Sequence, residues 1–245
     1  MQKINRLIVF VGVFSGYLAA TDIPSFMHIC HKSSPDTKAC IKDSVEALRP
    51  QLQNGNPEYN IPSVEPIVID DLIKDTSGPL KLETTQVVAY GGGNYEIIDI
   101  IPDFEKYSFE SDINIPTLRI EAKYRIDGKV SVVAVRGEGT FHANLTNCRS
   151  RSTLVGKQVQ RDGENHLEFV ENKMKVTVGG GNVLLDNLFN GDKILTKLIN
   201  DVVNDNLQTF LKDLMPFIEA GLAKNFMNTA NQIVGPYTCE QLFPE

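Results

Sequence analysis

The sequence has no Gly-x-Ser-x-Gly elbow and no His-Glu-x-x-His helix, so two widespread signatures of serine and zinc hydrolases are absent. Gly-Gly-Gly runs begin at Gly91 and Gly179 but lack the Lys-Ser/Thr of a phosphate-binding loop. They read as turns, where glycine adopts positive φ cheaply. The four histidines, His28, His31, His142 and His166, have no metal-ligand spacing. His28 and His31 flank Cys30, where surface histidines need no ligand. Acidic residues are plentiful but scattered, so no acid–base pair stands out, and Asp70-Asp71 reads as a solvated strand end. There is no Cys-x-x-Cys motif, no zinc spacing, no low-complexity segment and no clear internal repeat. No catalytic residue, metal ligand or cofactor is therefore assigned. After residue 20, no apolar run approaches the roughly 20 residues of a membrane helix.

The first 20 residues differ from the rest. Lys3 and Arg6 precede an uncharged run from Leu7 to Ala20 that closes on Ala19-Ala20. This is the pattern of a secretory signal peptide over 1–20, with an uncleaved anchor as the alternative. The chain has 24 basic and 31 acidic residues, and losing Lys3 and Arg6 takes the net charge from −7 to −9. Such a balance disfavours nucleic acid and anionic lipid surfaces. Residues 21–245 suit one large domain, or two small ones.

All four cysteines lie in the exported part, where disulfides form. Cys30 and Cys40 would close a short N-terminal loop. Elimination then pairs Cys148 with Cys239, tying the C-terminal tail to a mid-chain strand.

Ile41, Val45 and Leu48 recur at helical spacing, predicting a helix over Cys40–Leu52 that Pro50 and residues 54–57 end. From Ile61 to Val178 the period becomes two. Leu118, Ile120, Ala122, Tyr124 and Ile126 alternate with Arg119, Glu121, Lys123 and Arg125, the pattern of a half-buried strand. Asp127-Gly128 predicts a hairpin turn, and Gly137 and Gly139 a bulge or bend. Phe141, Ala143 and Leu145 continue the alternation, which places Asn144 of the sole Asn-x-Ser/Thr sequon, Asn144-Leu145-Thr146, on the outer face as a candidate glycosylation site. Gly179–Gly181 is expected to end the strands. A long helix then opens at Gly191-Asp192 with the stripe Leu195, Leu198, Ile199, Val202, Phe210, Leu211 and Leu214. Pro216 should kink or break it, with a second helix to about Ile233 and an extended tail held by Cys239.

A curved sheet and an amphipathic helix must bring their apolar faces together. Periodicity alone leaves two outcomes open, a filled core or a cavity.

Some short motifs narrow the choice. Between Cys30 and Pro66 stand Leu48-Arg49-Pro50, Gly55-Asn56-Pro57-Glu58, Ile61-Pro62 and Glu65-Pro66. Tyr124-Arg125-Ile126-Asp127-Gly128 precedes Gly137-Glu138-Gly139, and Leu188-Phe189-Asn190-Gly191-Asp192 precedes the long helix with Asn200 and Asn204. Pro216 and Leu242-Phe243-Pro244 come after. In this order and spacing the chain resembles the insect takeout and juvenile-hormone-binding family over nearly all of residues 21–245. The resemblance implies an α+β fold: a long C-terminal helix wrapped by a highly curved antiparallel sheet, an elongated α/β-wrap with an internal apolar tunnel. It implies a secreted, extracellular, non-enzymatic carrier of a small elongated hydrophobic ligand, a terpenoid such as juvenile hormone, a fatty acid or a similar lipid. No nucleic acid partner and no stable membrane insertion are expected, and a receptor or protein partner is left open. Relatives are linked to feeding, circadian timing and chemoreception. Two departures stand out: the chain has no tryptophan, and Leu207 occupies a position where many relatives have an aromatic.

On this reading the tunnel wall comprises Leu118, Ile120, Phe141 and Leu145 from strands and Leu198, Val202, Phe210 and Leu214 from the helix. Tyr124 is the candidate that orients a ligand's polar head, the alternative being a core tyrosine bonded to backbone. A secreted interaction protein with a filled interior competes with the carrier. A lipid-ester hydrolase lacks a nucleophile beside a base.

Overall fold

The computed structural model describes residues 22–76, 79–130 and 133–245, so the leader expected over 1–20 lies outside the described residues. An N-terminal loop is closed by a Cys30–Cys40 disulfide, S–S 2.01 Å. Helix α1 (Thr37–Ala47) and helix α2 (Arg49–Asn54) replace the single expected helix. Pro50 stands in the first turn of α2, where its missing N–H costs nothing, so it starts a helix instead of ending one. Cys30 and Ile41 pack with Tyr95, Ile97 and Ile100 in a small cluster.

The strands are β1 (Ile67–Ile69), β2 (Ile73–Asp75), β3 (Lys81–Tyr90), β4 (Glu96–Asp103), β5 (Ser108–Val130), β6 (Val133–Arg161) and β7 (Glu164–Leu185). They form one antiparallel sheet in the order β1-β3-β5-β6-β7, with β2 also on β3 and β4 on β5. β6 runs 29 residues, a contour of about 95 Å at about 3.3 Å per residue. Strands this long must coil to stay with a single core, and register shifts at Thr85/Val88, Ile97/Asp99 and Val155/Gly156 add local bend. The sheet is highly curved and does not close into a barrel.

Several turn expectations change. β5 continues through Asp127-Gly128 to Val130, which pairs with Val133, so the reversal comes later. β7 passes through the second glycine run, with Gly180 opposite Thr146 and Gly181 opposite Leu145. Gly137 and Gly139 mark a close approach: an added Cβ would sit 2.9 Å from the Asn187 carbonyl oxygen and 2.4 Å from that of Asp186. The chain leaving β7 crosses β6 there.

Helix α3 (Lys193–Asp205) is capped by the Asp192 carboxylate, which accepts from the Ile194 and Leu195 N–H groups. Helix α4 (Leu207–Val234) runs through Pro216. The break falls ten residues earlier, at Asn206, with φ −125° and ψ 33°. Pro216 and Lys212, whose carbonyl loses its partner, are both exposed, so water can serve that carbonyl and the helix survives. Along the other face Leu207, Phe210, Leu211, Leu214 and Ala223 are buried against the sheet. The tail is not extended: Thr238 caps a short helix, α5 (Cys239–Leu242), through a reciprocal capping box with Gln241. The N-terminal loop holds the last residues in place, with Lys32 N–H donating to the Pro244 carbonyl at 2.8 Å.

The expected Cys148–Cys239 bridge is absent; both thiols are free and buried. Cys148 packs in the main cluster with Val178 and Ile115, whereas Cys239 packs with Leu154, Leu167 and Phe169. Cys148 and Leu154 lie on one strand, about 20 Å apart at strand rise. A disulfide needs Cα atoms within about 7 Å. No helix among the described residues is long and apolar enough to cross a membrane.

Candidate ligand-binding interior

The alternation of β5 sorts charge outward and apolar groups inward. Ala122, Tyr124, Ile126 and Val130 are buried at one end of the inward face. Further along the same face, Leu118, Ile120 and Ile115 are only half-buried, as is Phe141 on β6. Met215, Ile218 and Leu222 of α4 are half-buried beside the same clusters. Sheet and helix therefore seal against each other at the β5–β6 hairpin end and stand less tightly together towards the middle. The uncovered surfaces there are aliphatic with one phenylalanine, the lining an apolar ligand requires.

Most of the expected wall residues come together. Leu118, Ile120, Tyr124, Phe141, Leu145, Phe210 and Leu214 all belong to or pack on the main cluster. Val202 is half-buried on α3. Leu198 departs from the expectation: it is 54 % exposed, with Leu195 at 41 % and Ile194 at 82 %. The cause is polar. Asn200 accepts from Leu185 N–H at 2.8 Å and donates to the Leu185 carbonyl at 2.9 Å. One turn on, Asn204 does the same to Val183, both contacts at 2.8 Å. These two amides turn the helix so that 200 and 204 face the edge of β7. Leu198, two residues from Asn200, then lies about 200° around the axis, on the solvent side.

The same device recurs along α4. Asn231 brackets Phe169, accepting from its N–H at 2.8 Å and donating to its carbonyl at 2.9 Å. Glu219, 8 % exposed, accepts from Val176 N–H at 3.0 Å and from Lys175 Nζ at 2.7 Å. Helix side chains thus occupy the positions of a further strand along β7. The i, i+4 spacing of Asn200 and Asn204 was the sequence signal for it. Met215, Ile218 and Leu222 lie outside the expected wall because its helical stripe ends before Pro216.

Tyr124 takes the core alternative. Its hydroxyl donates to the Asp186 carbonyl at 2.5 Å, and burial pushes its pKa up to about 12. Burial likewise pushes the Cys148 thiol up to about 11. Asn144 is exposed on the outer face, opposite Arg119 and Asn182.

The outer face carries charge. A groove of about 670 Å³ is lined by Asp99, Asp112, Arg151 and Lys175 together with Ser111 and Ser152. Arg149 clamps Asp112 through two contacts of 2.6 Å and Arg151 adds a third at 3.0 Å. The Arg149 guanidinium, aided by Arg151, holds the Asp112 carboxyl below the usual range. His31 Nδ1 lies 2.8 Å from the main-chain oxygen of Glu245. Among the described residues no group of three or more His, Cys, Asp or Glu side chains is placed to hold a metal.

Comparison with known proteins gives a consistent picture. Residues 7–244 match the family model "Haemolymph juvenile hormone binding protein (JHBP)". The circadian clock-controlled protein daywake of Drosophila melanogaster is 24% identical over 237 residues, covering 91% of this chain and 90% of the relative. Its Drosophila yakuba counterpart is 23% identical over 200 residues, covering 77% of each. The crystal structure of Epiphyas postvittana Takeout 1 superposes with a TM-score of 0.75 at 19% identity, covering 89% of this chain and all of that one.

Proposed function

The chain belongs to the haemolymph juvenile hormone binding protein family, and on that premise we propose that it is a secreted carrier enclosing a small, elongated hydrophobic ligand between its sheet and α4. The observation that carries the reading is the half-buried apolar surface of Ile115, Leu118, Ile120 and Phe141, inward-facing yet not sealed by Met215, Ile218 and Leu222. A filled core would have closed on these side chains as it closes on Ile126 and Val130, which are 3 % and 1 % exposed. Removing a ligand's hydrocarbon surface from water there supplies about 25 cal/mol per Å², before the cost of binding. Such a site selects by length and girth. Terpenoids, fatty-acyl chains and similar lipids fit; juvenile hormone is one candidate. Passage through the secretory pathway, with removal of residues 1–20 and glycosylation of Asn144, belongs to the same proposal.

The test is gentle purification of the secreted protein, denaturation in organic solvent and mass spectrometry of the extract. A stoichiometric apolar molecule supports the carrier and names its ligand class. Trace, variable lipid, together with no uptake of terpenoid or fatty-acyl probes, overturns it. That result would leave a second reading, action through a protein partner, which the exposed stripe of Ile194, Leu195 and Leu198 favours.

A further inference from the structure

Helix α3 turns Asn200 and Val203 towards the sheet and leaves its opposite face open to solvent. Ile194 and Leu198 stand one turn apart on that open face and form an apolar ridge, with Leu195 beside it. Ile194 is the most exposed large hydrophobic side chain among the described residues.

A row of charge runs along the ridge. Lys193, Lys197, Asp201 and Asp205 recur every four residues, and all four are exposed. The row is basic in its first half and acidic in its second. A lone helix prefers the reverse, because its N-terminal end carries partial positive charge and its C-terminal end partial negative charge. The first turn of α3 holds no acidic residue and the last turn no basic one. Lys197 does reach Asp201 at 2.5 Å, but with the lysine on the N-terminal side, the weaker orientation of such a pair. Within one chain, then, neither the apolar ridge nor the order of the charges is accounted for.

We propose that α3 is a contact between two copies of this chain, laid antiparallel about a two-fold axis near Ile199. Read end to end in reverse, the row is its own complement. Lys193 of one copy meets Asp205 of the second, Lys197 meets Asp201, and the Ile194–Leu198 ridges pack together across the axis. A patch that matches itself on reversal is what a two-fold contact requires. Each basic helix start then lies beside an acidic helix end, which offsets the unfavourable placement along the dipole. The row has no net charge and the whole chain is acidic at −7, so an anionic lipid surface is a poorer match than a second copy. The helix has 13 residues and is about 20 Å long, so the contact falls below the roughly 1,200 Å² of stable interfaces and is weak and concentration-dependent.

The experiment follows the apparent mass of the secreted protein by light scattering. At about 5 µM the single chain should dominate, and by about 500 µM the mass should climb towards that of two chains. Lys193→Glu/Lys197→Glu makes the row wholly acidic, and Asp201→Lys/Asp205→Lys makes it wholly basic. Each variant should remain a single chain throughout this range, whereas an equimolar mixture of the two should associate. All four side chains are exposed, so both variants should keep the unaltered far-ultraviolet circular dichroism. A mass that stays at one chain in the unaltered protein overturns the proposal, and that comparison decides even if a variant fails to fold. Association that survives in either folded variant overturns it too, as does a mixture that stays dissociated. Binding of the unaltered single chain to phosphatidylcholine vesicles, lost in Leu198→Ser, would assign the ridge to lipid instead.

Discussion

Replacing Asn200 with leucine removes one bracket on β7 while keeping the branched shape of the side chain. Asn200 is 6 % exposed, and its amide serves both the N–H and the carbonyl of Leu185, itself 5 % exposed. The substitution leaves both backbone groups without partners in a dry site. Each orphaned group costs about 1–3 kcal/mol, and some relaxation of α3 will recover part, so a loss of about 3 kcal/mol is expected. For a chain of this size that lowers Tm by roughly 6–12 °C, at about 2–4 °C per kcal/mol. Urea unfolding should show a lower midpoint with an unchanged slope, since the surface exposed on unfolding is the same. Amide exchange at Leu185 should quicken in parallel. Leu198→Ala, on the exposed face of the same helix, should change stability by less than about 0.5 kcal/mol. If Asn200→Leu also falls within that margin, the amide brackets do not set the rotation of α3, and Leu198 faces water for some other reason.

Other perturbations probe other parts of the molecule. Ile120→Arg should abolish binding of an apolar fluorescent probe in the folded protein, whereas Leu198→Arg should leave it within about twofold; equal effects would remove Ile120 from the wall. With the Cys148 thiol raised to about 11 by burial, a thiol reagent at pH 8 should find no reactive group in the folded protein and two after unfolding without reductant. No thiol after unfolding would mean that Cys148 and Cys239 had paired. Asp112, held low by Arg149, contributes stability above the unfolded carboxyl value of about 3.9 and loses it as pH falls through its lower folded value. Asp112→Asn should therefore cost up to about 1 kcal/mol at pH 7, since Arg149 is 40 % exposed, and nothing near pH 1; a pH-independent difference would refute the pairing.

The parts of this fold written in side-chain period were legible. Charged and apolar residues alternating from Leu118 to Ile126 placed β5 and its inward face correctly, because burying one face of a sheet leaves only one register. Leu118, Ile120 and Tyr124 came with that face. What escaped was set by hydrogen bonds between distant segments. The stripe of α3 pointed Leu195 and Leu198 inward, and an apolar pattern cannot report that Asn200 and Asn204 will be claimed by Leu185 and Val183. Pro216 looked like a helix end because its local cost is real, yet exposure beside Lys212 makes that cost tolerable. Cys148 and Cys239 were paired by counting, which holds no information on distance.

The stitching of the first loop to the last residues bears on how the chain is made. Cys30 N–H donates to the Leu242 carbonyl and Lys32 N–H to that of Pro244, and Phe243 packs against Phe104 and Phe109. A chain synthesised from its N-terminus can therefore close its Cys30–Cys40 loop early but cannot finish the lobe around it until residues 242–244 have been added. Contacts of such sequence separation form late and slowly. Loss of those three residues would be felt more than 200 positions away, as a loosened start to the chain and not as a frayed end.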